Sequence, residues 1–234
     1  GAKRNKKDSF HVMIFGGEPL LRPDLIEEIF KHGLNLSKKN NIGFTASIVT
    51  NATIMNDEIY RILTEYKDQV KLSIQLSVDG VREVQDANRI ARNGKGSFEL
   101  VEGNIQKFKS IYKNNPRGLS IHGCINKFSL PYLFENYKFF KEEWGIKNIW
   151  FMPVHEESWE ESDIKLYEEQ LNKIADYILK EVKITMDVRT VKEYAPIDKC
   201  LSPQIRSSAP CGAGKSFITI TADGIIYPCH HFYF

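Results

Sequence analysis

The strongest constraint on the fold is a regular alternation between short β-like runs and amphipathic helical stretches. Six runs rich in β-branched or aromatic residues are typical of strands, and the last of them is the weakest. They cover residues 10–15, 43–49, 70–78, 119–125, 148–154 and 183–188. Strands that alternate with helices pair side by side in the same direction, so the sequence predicts an α/β fold with a parallel sheet.

Three helical stretches between these runs carry further signals. The stretch 23–36 begins with Pro23 at a plausible first helical position, and its apolar residues share one face. Residues 57–66 follow the second run, and residues 97–112 begin with Ser97 as a candidate N-cap. We therefore expect a helix after each of the first three strands.

The composition of the chain changes near residue 189. The following segment is rich in proline and shows little periodicity, which indicates irregular structure. Asp223-Gly224 then lies between two alternating apolar runs, which is a strong signal for a β-hairpin. We predict two domains, an α/β body at residues 1–188 and a small hairpin-and-cysteine region at residues 189–234.

The charge balance excludes some classes of partner. The 234 residues carry 32 basic and 30 acidic side chains, which gives a formal net charge of +2. So near-neutral a chain is not typical of proteins that bind nucleic acid or membrane surfaces. No apolar run approaches the roughly 20 residues of a transmembrane helix. The N-terminus lacks the apolar segment of a signal peptide, so we expect no membrane or nucleic-acid partner.

Polar and flexible residues stand at the carboxyl ends of the predicted strands. They are Gly16, Gly17, Glu18 and Pro19 after the first strand, Asn51 after the second, and Ser77 and Asp79 after the third. Parallel sheets bind their ligands at these ends. Each residue alone is also an ordinary turn former. Together they indicate a small, polar, zwitterionic ligand, and neither glycine-rich phosphate-binding pattern occurs in the chain.

The cysteines favour a metal site near the C-terminus. The four are Cys124, Cys200, Cys211 and Cys229, and three of them fall in the last 35 residues. Such clustering fits a metal site better than a dispersed disulfide framework. Cys124 lies on a predicted strand, where we expect a buried thiol, and Cys200 has no assigned role. His230 and His231 follow Cys229 directly, so zinc is an alternative to other metals here.

An ordered set of motifs resembles those of radical S-adenosylmethionine (radical SAM) enzymes. "FGGEPLL" resembles the GGEP motif of that family, and "VTNAT" and "LSVDG" stand at the next two strand ends. The segment from Val78 to Ile105 resembles one that follows the fourth barrel strand in the peptide-modifying branch. Cys211, Gly224 and Cys229 match the spacing that opens a SPASM domain. GGEP alone is weakly specific, whereas the motifs in this order are strongly specific.

This resemblance implies both a fold and a set of cofactors. The fold is a partial (β/α)6 barrel, here without its first βα unit, followed by the β-hairpin that begins a SPASM domain. The cofactors are S-adenosylmethionine, a [4Fe–4S] cluster that cleaves it, and one or more auxiliary [4Fe–4S] clusters. The implied cofactor-binding residues are Gly16, Gly17, Glu18, Pro19, Asn51, Ser77, Asp79 and Arg89, and the implied auxiliary-cluster ligands are Cys211 and Cys229.

The resemblance also implies roles for several of these residues. Gly16, Gly17 and Glu18 would hold the amino group of the methionine moiety. Ser77 would face the ribose or the carboxylate, and Arg89 would pair with that carboxylate, for which a bidentate guanidinium is suited. The resemblance assigns no catalytic acid or base.

The chain departs from the family pattern in two places. The Cys-x3-Cys-x2-Cys loop that defines the family is absent, and so are the SPASM cysteines beyond Cys229. We therefore expect the sequence to be the middle part of a longer protein. Because the ligands of the SAM-cleaving cluster are absent, we predict that this chain alone is catalytically inactive.

The function that the resemblance implies is radical modification of a peptide or protein, by a thioether crosslink or a similar change. An anaerobic sulfatase-maturating enzyme, which makes formylglycine, is the alternative within the family. Alternatives of other classes are a non-radical (β/α)-barrel hydrolase or aldolase that uses Glu18 and Asp79, and a zinc-binding module. The implied partners are the peptide or protein substrate and an electron donor such as flavodoxin or ferredoxin, in the cytoplasm.

Overall fold

Five parallel strands form one sheet in the order of the chain. The computed structural model describes residues 8–185, 213–214 and 217–232. The strands are β1 (Ser9–Ile14), β2 (Gly43–Thr50), β3 (Ser73–Leu76), β4 (Leu119–Ile125) and β5 (Asn148–Pro153). The helices are α1 (Pro23–Asn40), α2 (Asp57–Tyr66), α3 (Arg82–Asn88), α4 (Phe98–Ile111), α5 (Leu133–Glu142) and α6 (Glu161–Thr185). Every neighbouring pair of strands is parallel, which confirms the predicted α/β fold.

The third strand is shorter than the sequence predicts. It begins at Ser73 and not at residue 70. Lys71 has a φ of 45°, which is incompatible with an extended strand. The N–H of Leu72 bonds back to the carbonyl of Lys67 over 2.8 Å, so these residues form a turn after α2.

The predicted strand at 183–188 is wrong over its first three residues. There α6 continues to Thr185, in keeping with the helical period of the residues before it. Residues 186–188 lie outside the described part of the chain.

One face of the sheet is apolar and packs against the helices. Ile48 in β2 and Leu76 in β3 are fully buried, together with Phe30, Phe108 and Phe140 from α1, α4 and α5. All five belong to one hydrophobic core. Burial of each such side chain contributes about 1.5–3 kcal/mol, so this core fixes the positions of the strand ends.

The opposite face of the sheet, called the polar face below, carries the alternate residues of the strands and of the loops that follow them. They are His11, Met13, Thr45, Ser47, Val49, Gln75, Ser77, Ser120, His122, Cys124, Trp150 and Met152. Met13, Trp150 and Met152 are 57%, 55% and 50% exposed. Among the described residues, therefore, no helix covers these parts of the face, and a ligand can reach the side chains there.

The C-terminal region contains the predicted hairpin. β6 (Thr219–Ile220) and β7 (Ile226–Tyr227) pair in antiparallel fashion. Gly224 lies in the turn with a φ of 84°, a value that favours glycine. The hairpin signal of Asp223-Gly224 is thus confirmed.

The chain divides into two compact units, Gly1–Tyr177 and Ile178–Phe234. The predicted boundary between residues 188 and 189 lies outside the described residues and stays a prediction. Within the described ranges, none of the helices combines the length and the apolar character that a bilayer crossing requires.

Candidate cofactor and substrate site

The loop after β1 places two glycines at the edge of the polar face. Gly16 has a φ of 96° and Gly17 a φ of 50°, so a side chain at either position would be strained. No atom lies within 4 Å of the place where a Cβ of either residue would stand. The two glycines therefore satisfy the turn and also leave open space beside their backbone groups.

The carboxylate of Glu18 joins this loop to the end of β2. Its Oε1 accepts hydrogen bonds from Thr50 Oγ1 at 2.7 Å and from the Leu20 N–H at 3.0 Å. Its Oε2 accepts from the Asn51 N–H at 2.8 Å. All three donors are uncharged, and no described cation forms an ion pair with Glu18. The predicted role toward an ammonium group is electrostatically compatible with this arrangement and stays a prediction.

The loop after β2 is held by its own side chains. Asn51 Oδ1 accepts from the Thr53 N–H at 3.0 Å and from Thr53 Oγ1 at 2.7 Å. Ala52 has a φ of 61°, and its carbonyl accepts a hydrogen bond from Asn104 Nδ2 in α4 at 3.1 Å. The amide oxygen of Asn51 thus serves the loop, which leaves its NH₂ group as the part that could contact a ligand.

Asp79, after the end of β3, and Arg89, at the end of α3, form a bidentate ion pair. Arg89 Nε donates to Asp79 Oδ2 and Nη2 donates to Oδ1, both over 2.9 Å. Asp79 Oδ1 also accepts from the Cys124 N–H in β4 at 2.8 Å. The Asp79 side chain is only 3% exposed, whereas that of Arg89 is 28% exposed. The fork that the resemblance assigns to a ligand carboxylate is therefore engaged by Asp79.

Buried side chains at α3 and at the start of α4 support this pair. Gln85, fully buried in α3, accepts from the Asp79 N–H and donates to the Ser97 hydroxyl, each over 2.9 Å. Ser97 occupies the N-cap position of α4, but its side chain makes no capping bond. Asp86 Oδ1 instead accepts from the Phe98 N–H at 2.7 Å. The predicted capping role of Ser97 is wrong, because its hydroxyl accepts a hydrogen bond from Gln85 and Asp86 accepts from the helix N–H in its place.

Ser77 and Pro19 complete the predicted set. The Ser77 N–H donates to the Thr50 carbonyl at 2.8 Å, so the pairing of β2 with β3 reaches the strand ends. The Ser77 side chain is half-buried on the polar face. Pro19 starts a short 3-10 helix at Pro19–Leu21, next to Glu18. The structure thus brings the predicted cofactor-binding residues to neighbouring strand ends, while their roles toward a cofactor stay predictions.

The structure also reveals polar side chains that the motifs do not single out. His11 Nδ1 hydrogen-bonds to Thr45 Oγ1 and its Nε2 to Ser47 Oγ, both over 2.8 Å. Gln75 Nε2 donates to His122 Nδ1 between β3 and β4. Burial lowers the pKa of both histidines from their usual value, so both rings are mostly neutral at pH 7. Each histidine stands between two strand residues that face the opposite side, Phe10 and Val12 for His11 and Ile121 and Gly123 for His122, and this alternation is the signal that predicts them.

The thiol of Cys124 is exposed, so the prediction of a buried core thiol is wrong. Cys124 has the strand parity of His122 and points to the polar face, whereas its neighbours Gly123 and Ile125 are buried on the apolar face. Its Sγ lies 3.9 Å from Arg89 Nη2. Partial burial, with Asp79 adding to it, raises the pKa of the thiol, so Cys124 is protonated at neutral pH.

The predicted metal ligands are only partly within the described residues. Cys200 and Cys211 lie outside them. Cys229 is buried, and its Sγ is 3.7 Å from Nδ1 of His230. No group of three or more His, Cys, Asp or Glu side chains that could hold a metal ion occurs in the described residues. The assignment of Cys211 and Cys229 to an auxiliary cluster therefore stays a prediction.

Comparison with known families decides the relationship of the chain. The family model of the radical SAM superfamily matches residues 2–125, which is more than half of the sequence. The chain belongs to the radical SAM superfamily. Its parallel sheet with flanking helices is accordingly a partial radical SAM barrel, as predicted.

Several curated proteins similar to this chain are sulfatase-maturating enzymes. A cysteine-type anaerobic sulfatase-maturating enzyme of Clostridium novyi (strain NT) is 29% identical over 231 residues, which cover 92% of this chain and 57% of that protein. A serine-type anaerobic sulfatase-maturating enzyme of Bacteroides thetaiotaomicron is 31% identical over 129 residues, 54% of this chain and 28% of that protein. The chain therefore spans little more than half the length of these relatives at most.

Solved structures support the fold of this radical SAM protein. Native anSMEcpe with bound AdoMet superimposes with a TM-score of 0.70 at 22% identity, over 97% of this chain and 62% of that one. Native anSMEcpe with bound AdoMet and the Kp18Cys peptide has a TM-score of 0.60 at 24% identity, over 76% of this chain and 49% of that one. At these identities the likeness shows the shared fold.

The radical SAM cofactor fits the residues that are present. S-adenosylmethionine is the cofactor of the family, and a [4Fe–4S] cluster is implied with it. The unobstructed backbone at Gly16 and Gly17 offers room for a polar head group, and Glu18 beside it carries a negative charge. The described residues contain no matching set of cluster ligands.

Proposed function

We propose that this chain forms the barrel of a radical SAM enzyme that modifies a side chain of a peptide or protein. The observation that carries the proposal is the open polar face with the Gly16-Gly17 loop at its edge, in a chain of this superfamily. The sulfatase-maturating relatives support a macromolecular substrate, because their names describe the processing of another protein.

The residues of this chain bind and orient in the proposed reaction. S-adenosylmethionine, bound together with an iron–sulfur cluster, would supply the radical chemistry that removes a hydrogen atom from the substrate. Gly16 and Gly17 would hold the methionine head group through their backbone, with Glu18 accepting from its ammonium group. Ser77 would bind the ribose or carboxylate. Asp79 fixes the guanidinium of Arg89 at the rim of the site, so its remaining donors keep one direction.

Two modifications are candidates for the finer function. The first is a thioether crosslink or similar change in a peptide, which the SPASM-like spacing of Cys211, Gly224 and Cys229 supports by resemblance. The second is formylglycine formation in a sulfatase. The similarity to sulfatase-maturating enzymes of two organisms favours this second candidate. A barrel hydrolase or aldolase is no longer needed to explain the strand-end motifs.

Further parts of the proposal concern the surroundings of the enzyme. A reduced flavodoxin or ferredoxin would donate the electron, and the oxygen-sensitive chemistry is suited to an anaerobic cytoplasm. The chain by itself would not cleave the cofactor, because it lacks the Cys-x3-Cys-x2-Cys loop.

Anaerobic reconstitution tests the proposal. The longer protein that contains this chain, loaded with iron and sulfide and reduced with dithionite, should convert S-adenosylmethionine to 5′-deoxyadenosine. The 234-residue chain alone should not. The product is quantified by chromatography with mass detection. A longer protein that binds iron–sulfur clusters but yields no 5′-deoxyadenosine would contradict the proposal, and so would turnover by the isolated chain.

A matched pair of glycine substitutions tests the role of the loop. Gly17→Ala places a methyl group in the space beside the loop at a φ of 50°, and it should abolish detectable cofactor binding. Gly94→Ala is the control, since Gly94 also has a positive φ, 78°, and open space around it, but lies in the turn before α4. It should bind S-adenosylmethionine normally by calorimetry. Equal loss in both variants would assign the effect to backbone strain.

A further inference from the structure

The two histidines of the polar face differ in how fully they are hydrogen-bonded. Both ring nitrogens of His11 are engaged, by the Thr45 and Ser47 hydroxyls at 2.8 Å each. Only Nδ1 of His122 has a partner among the described residues, the side-chain NH₂ of Gln75. His11 therefore has no ring nitrogen left for a ligand, while His122 keeps one.

The partner of His122 determines which atoms remain free. The NH₂ group of Gln75 can only donate, so Nδ1 of a neutral His122 accepts and the ring proton lies on Nε2. Oε1 of Gln75 has no described partner. Because no fully buried side-chain nitrogen or oxygen in the described residues lacks a partner, both free atoms keep some solvent exposure. The pair thus offers one donor, Nε2–H, and one acceptor, Oε1.

The electrostatics of this part of the face favour an uncharged group. Asp79 and Arg89 are the charged residues that act on His122, and their bidentate pairing leaves no net charge. Trp150 lies directly across from His122 in the strand register and is 55% exposed, so it adds an apolar surface. A charged ligand group would lose hydration here without gaining a counter-ion.

We propose that Gln75 and His122 form a specificity subsite for an uncharged side chain that both accepts and donates a hydrogen bond. Hydroxyl and carboxamide groups, as in serine, threonine, asparagine and glutamine, have this capacity. The inference deepens the proposed function, on which it rests, because it names the class of substrate residue that this face selects.

Binding of a peptide series tests the subsite. The probes are fluorescein-labelled glycine–alanine peptides that differ only in one central residue: serine, asparagine, alanine, aspartate or lysine. They are titrated by fluorescence anisotropy into the reconstituted longer protein with S-adenosylmethionine. The serine and asparagine peptides should bind about fivefold to tenfold more tightly than the alanine peptide, as expected for one or two hydrogen bonds. The aspartate and lysine peptides should bind no better than alanine.

Matched variants locate the preference. His122→Phe and Gln75→Leu each remove one half of the pair and should bring the serine-to-alanine ratio to within about twofold. His11→Phe changes the same residue type on the same face and should keep the ratio. Thermal melting identifies any variant that fails to fold, and the two subsite variants substitute for one another in that case.

The possible results are distinct. A preference that survives in both subsite variants, or a wild type that shows no preference or favours a charged peptide, would overturn the inference. Cleavage of S-adenosylmethionine is measured on the same samples. Cleavage without the peptide preference would support the proposed function and contradict the subsite. A peptide preference without cleavage would support the subsite and contradict the proposed function.

Discussion

Glu18 and Asp79 are carboxylates at the same edge of the sheet, after the carboxyl ends of two strands, but they have different partners. Glu18 follows β1 and accepts hydrogen bonds from uncharged donors in its own loop and at the end of β2. Asp79 follows β3, is 3% exposed, and pairs with the guanidinium of Arg89. The negative charge of Glu18 remains available to a ligand, whereas that of Asp79 is paired with Arg89 inside the protein.

This difference in pairing shows how one edge of a sheet can be held rigidly at Asp79 and still bind a ligand at Glu18. Asp79 joins β3 to β4 through the Cys124 N–H and to the end of α3 through Arg89. A buried carboxylate without a counter-ion would be costly, so we expect Arg89 to stabilise the fold through Asp79, whatever its role in binding. Glu18 is half-buried and retains enough contact with solvent to carry its charge without a cation.

The largest expected effect is that of removing the buried member of the ion pair. Asp79→Ala should lower the free energy of unfolding by about 3 kcal/mol, because it leaves the partly buried Arg89 charge unpaired and the Cys124 N–H without its acceptor. Denaturation of this chain in urea measures the loss. The double variant with Arg89→Ala should recover part of it, since no unpaired charge remains.

An exposed ion pair of the same geometry is the control for that loss. Arg22 also donates through Nε and Nη2 to the two carboxylate oxygens of Asp24, at 2.9 and 2.7 Å, but both side chains are more than half exposed. Asp24→Ala should leave the free energy of unfolding nearly unchanged, because solvent screens the pair. Similar losses in the two alanine variants would show that burial of Asp79 is not what separates it from an ordinary surface pair.

The next effect concerns the charge of Glu18. Glu18→Gln replaces one carboxylate oxygen by an NH₂ group, which would face one or two of the three donors that Glu18 now accepts from. It should lower the free energy of unfolding by about 1–3 kcal/mol. If Glu18 also accepts from an ammonium group, the affinity of the reconstituted longer protein for S-adenosylmethionine should fall at least tenfold, about the strength of one charged hydrogen bond. Calorimetric titration at a temperature where the variant is folded measures it. Unchanged affinity together with reduced stability would show that Glu18 only connects the two loops and does not bind the cofactor.

A smaller effect reports on the Asp79 charge through His122. Burial lowers the pKa of His122, Arg89 lowers it further, and Asp79 raises it. Asp79→Asn should therefore lower that pKa again, while Glu18→Gln should not move it. The ring signals of His122, followed by NMR against pH, measure the shift. A rise in Asp79→Asn would contradict the assignment of the pair as a neutral unit.

The same depressed pKa predicts how stability changes with pH. A histidine whose pKa is lower in the folded than in the unfolded chain binds more protons when unfolded. His11 and His122 both behave in this way, from a usual value of 6.5. Their contribution to the free energy of unfolding is complete above that pH and declines as the pH falls below it toward the pKa of the folded chain. Urea denaturation between neutral and mildly acidic pH should show that the free energy of unfolding falls less steeply in the variant His11→Gln/His122→Gln than in the wild type.

The sequence predicts the strands and their ends better than the contacts made there. Periodicity is local, so the runs at 119–125 and 57–66 appear as β4 and α2 within the same limits. Glu18 and Asp79 find partners more than thirty residues away, which neither spacing nor residue type specifies. The assignment of Arg89 to a ligand carboxylate could not anticipate a carboxylate from the chain itself.

The error at Cys124 has a different origin. A strand of a sheet with one open face sends alternate residues to each side, so membership of a strand does not by itself imply burial. Cys124 is two residues beyond His122 and four beyond Ser120, and all three share the polar face. Parity against Ile121 and Ile125, which are buried, would have placed the thiol correctly.

The smallest expected effect tests whether the Glu18 side of the sheet holds strain. Ala52, next to Asn51, keeps a left-handed φ of 61° at a cost that glycine would not have. Ala52→Gly should raise the free energy of unfolding by up to about 1 kcal/mol, since relief of strain outweighs the added entropy of the unfolded chain. Ala46→Gly, at a buried position in the middle of β2, should lower it by about as much. If Ala52→Gly also destabilises the chain, the hydrogen bonds of the Ala52 N–H to Thr50 Oγ1 and of Asn104 Nδ2 to the Ala52 carbonyl compensate the cost of the left-handed backbone, and the loop beside Glu18 holds no strain.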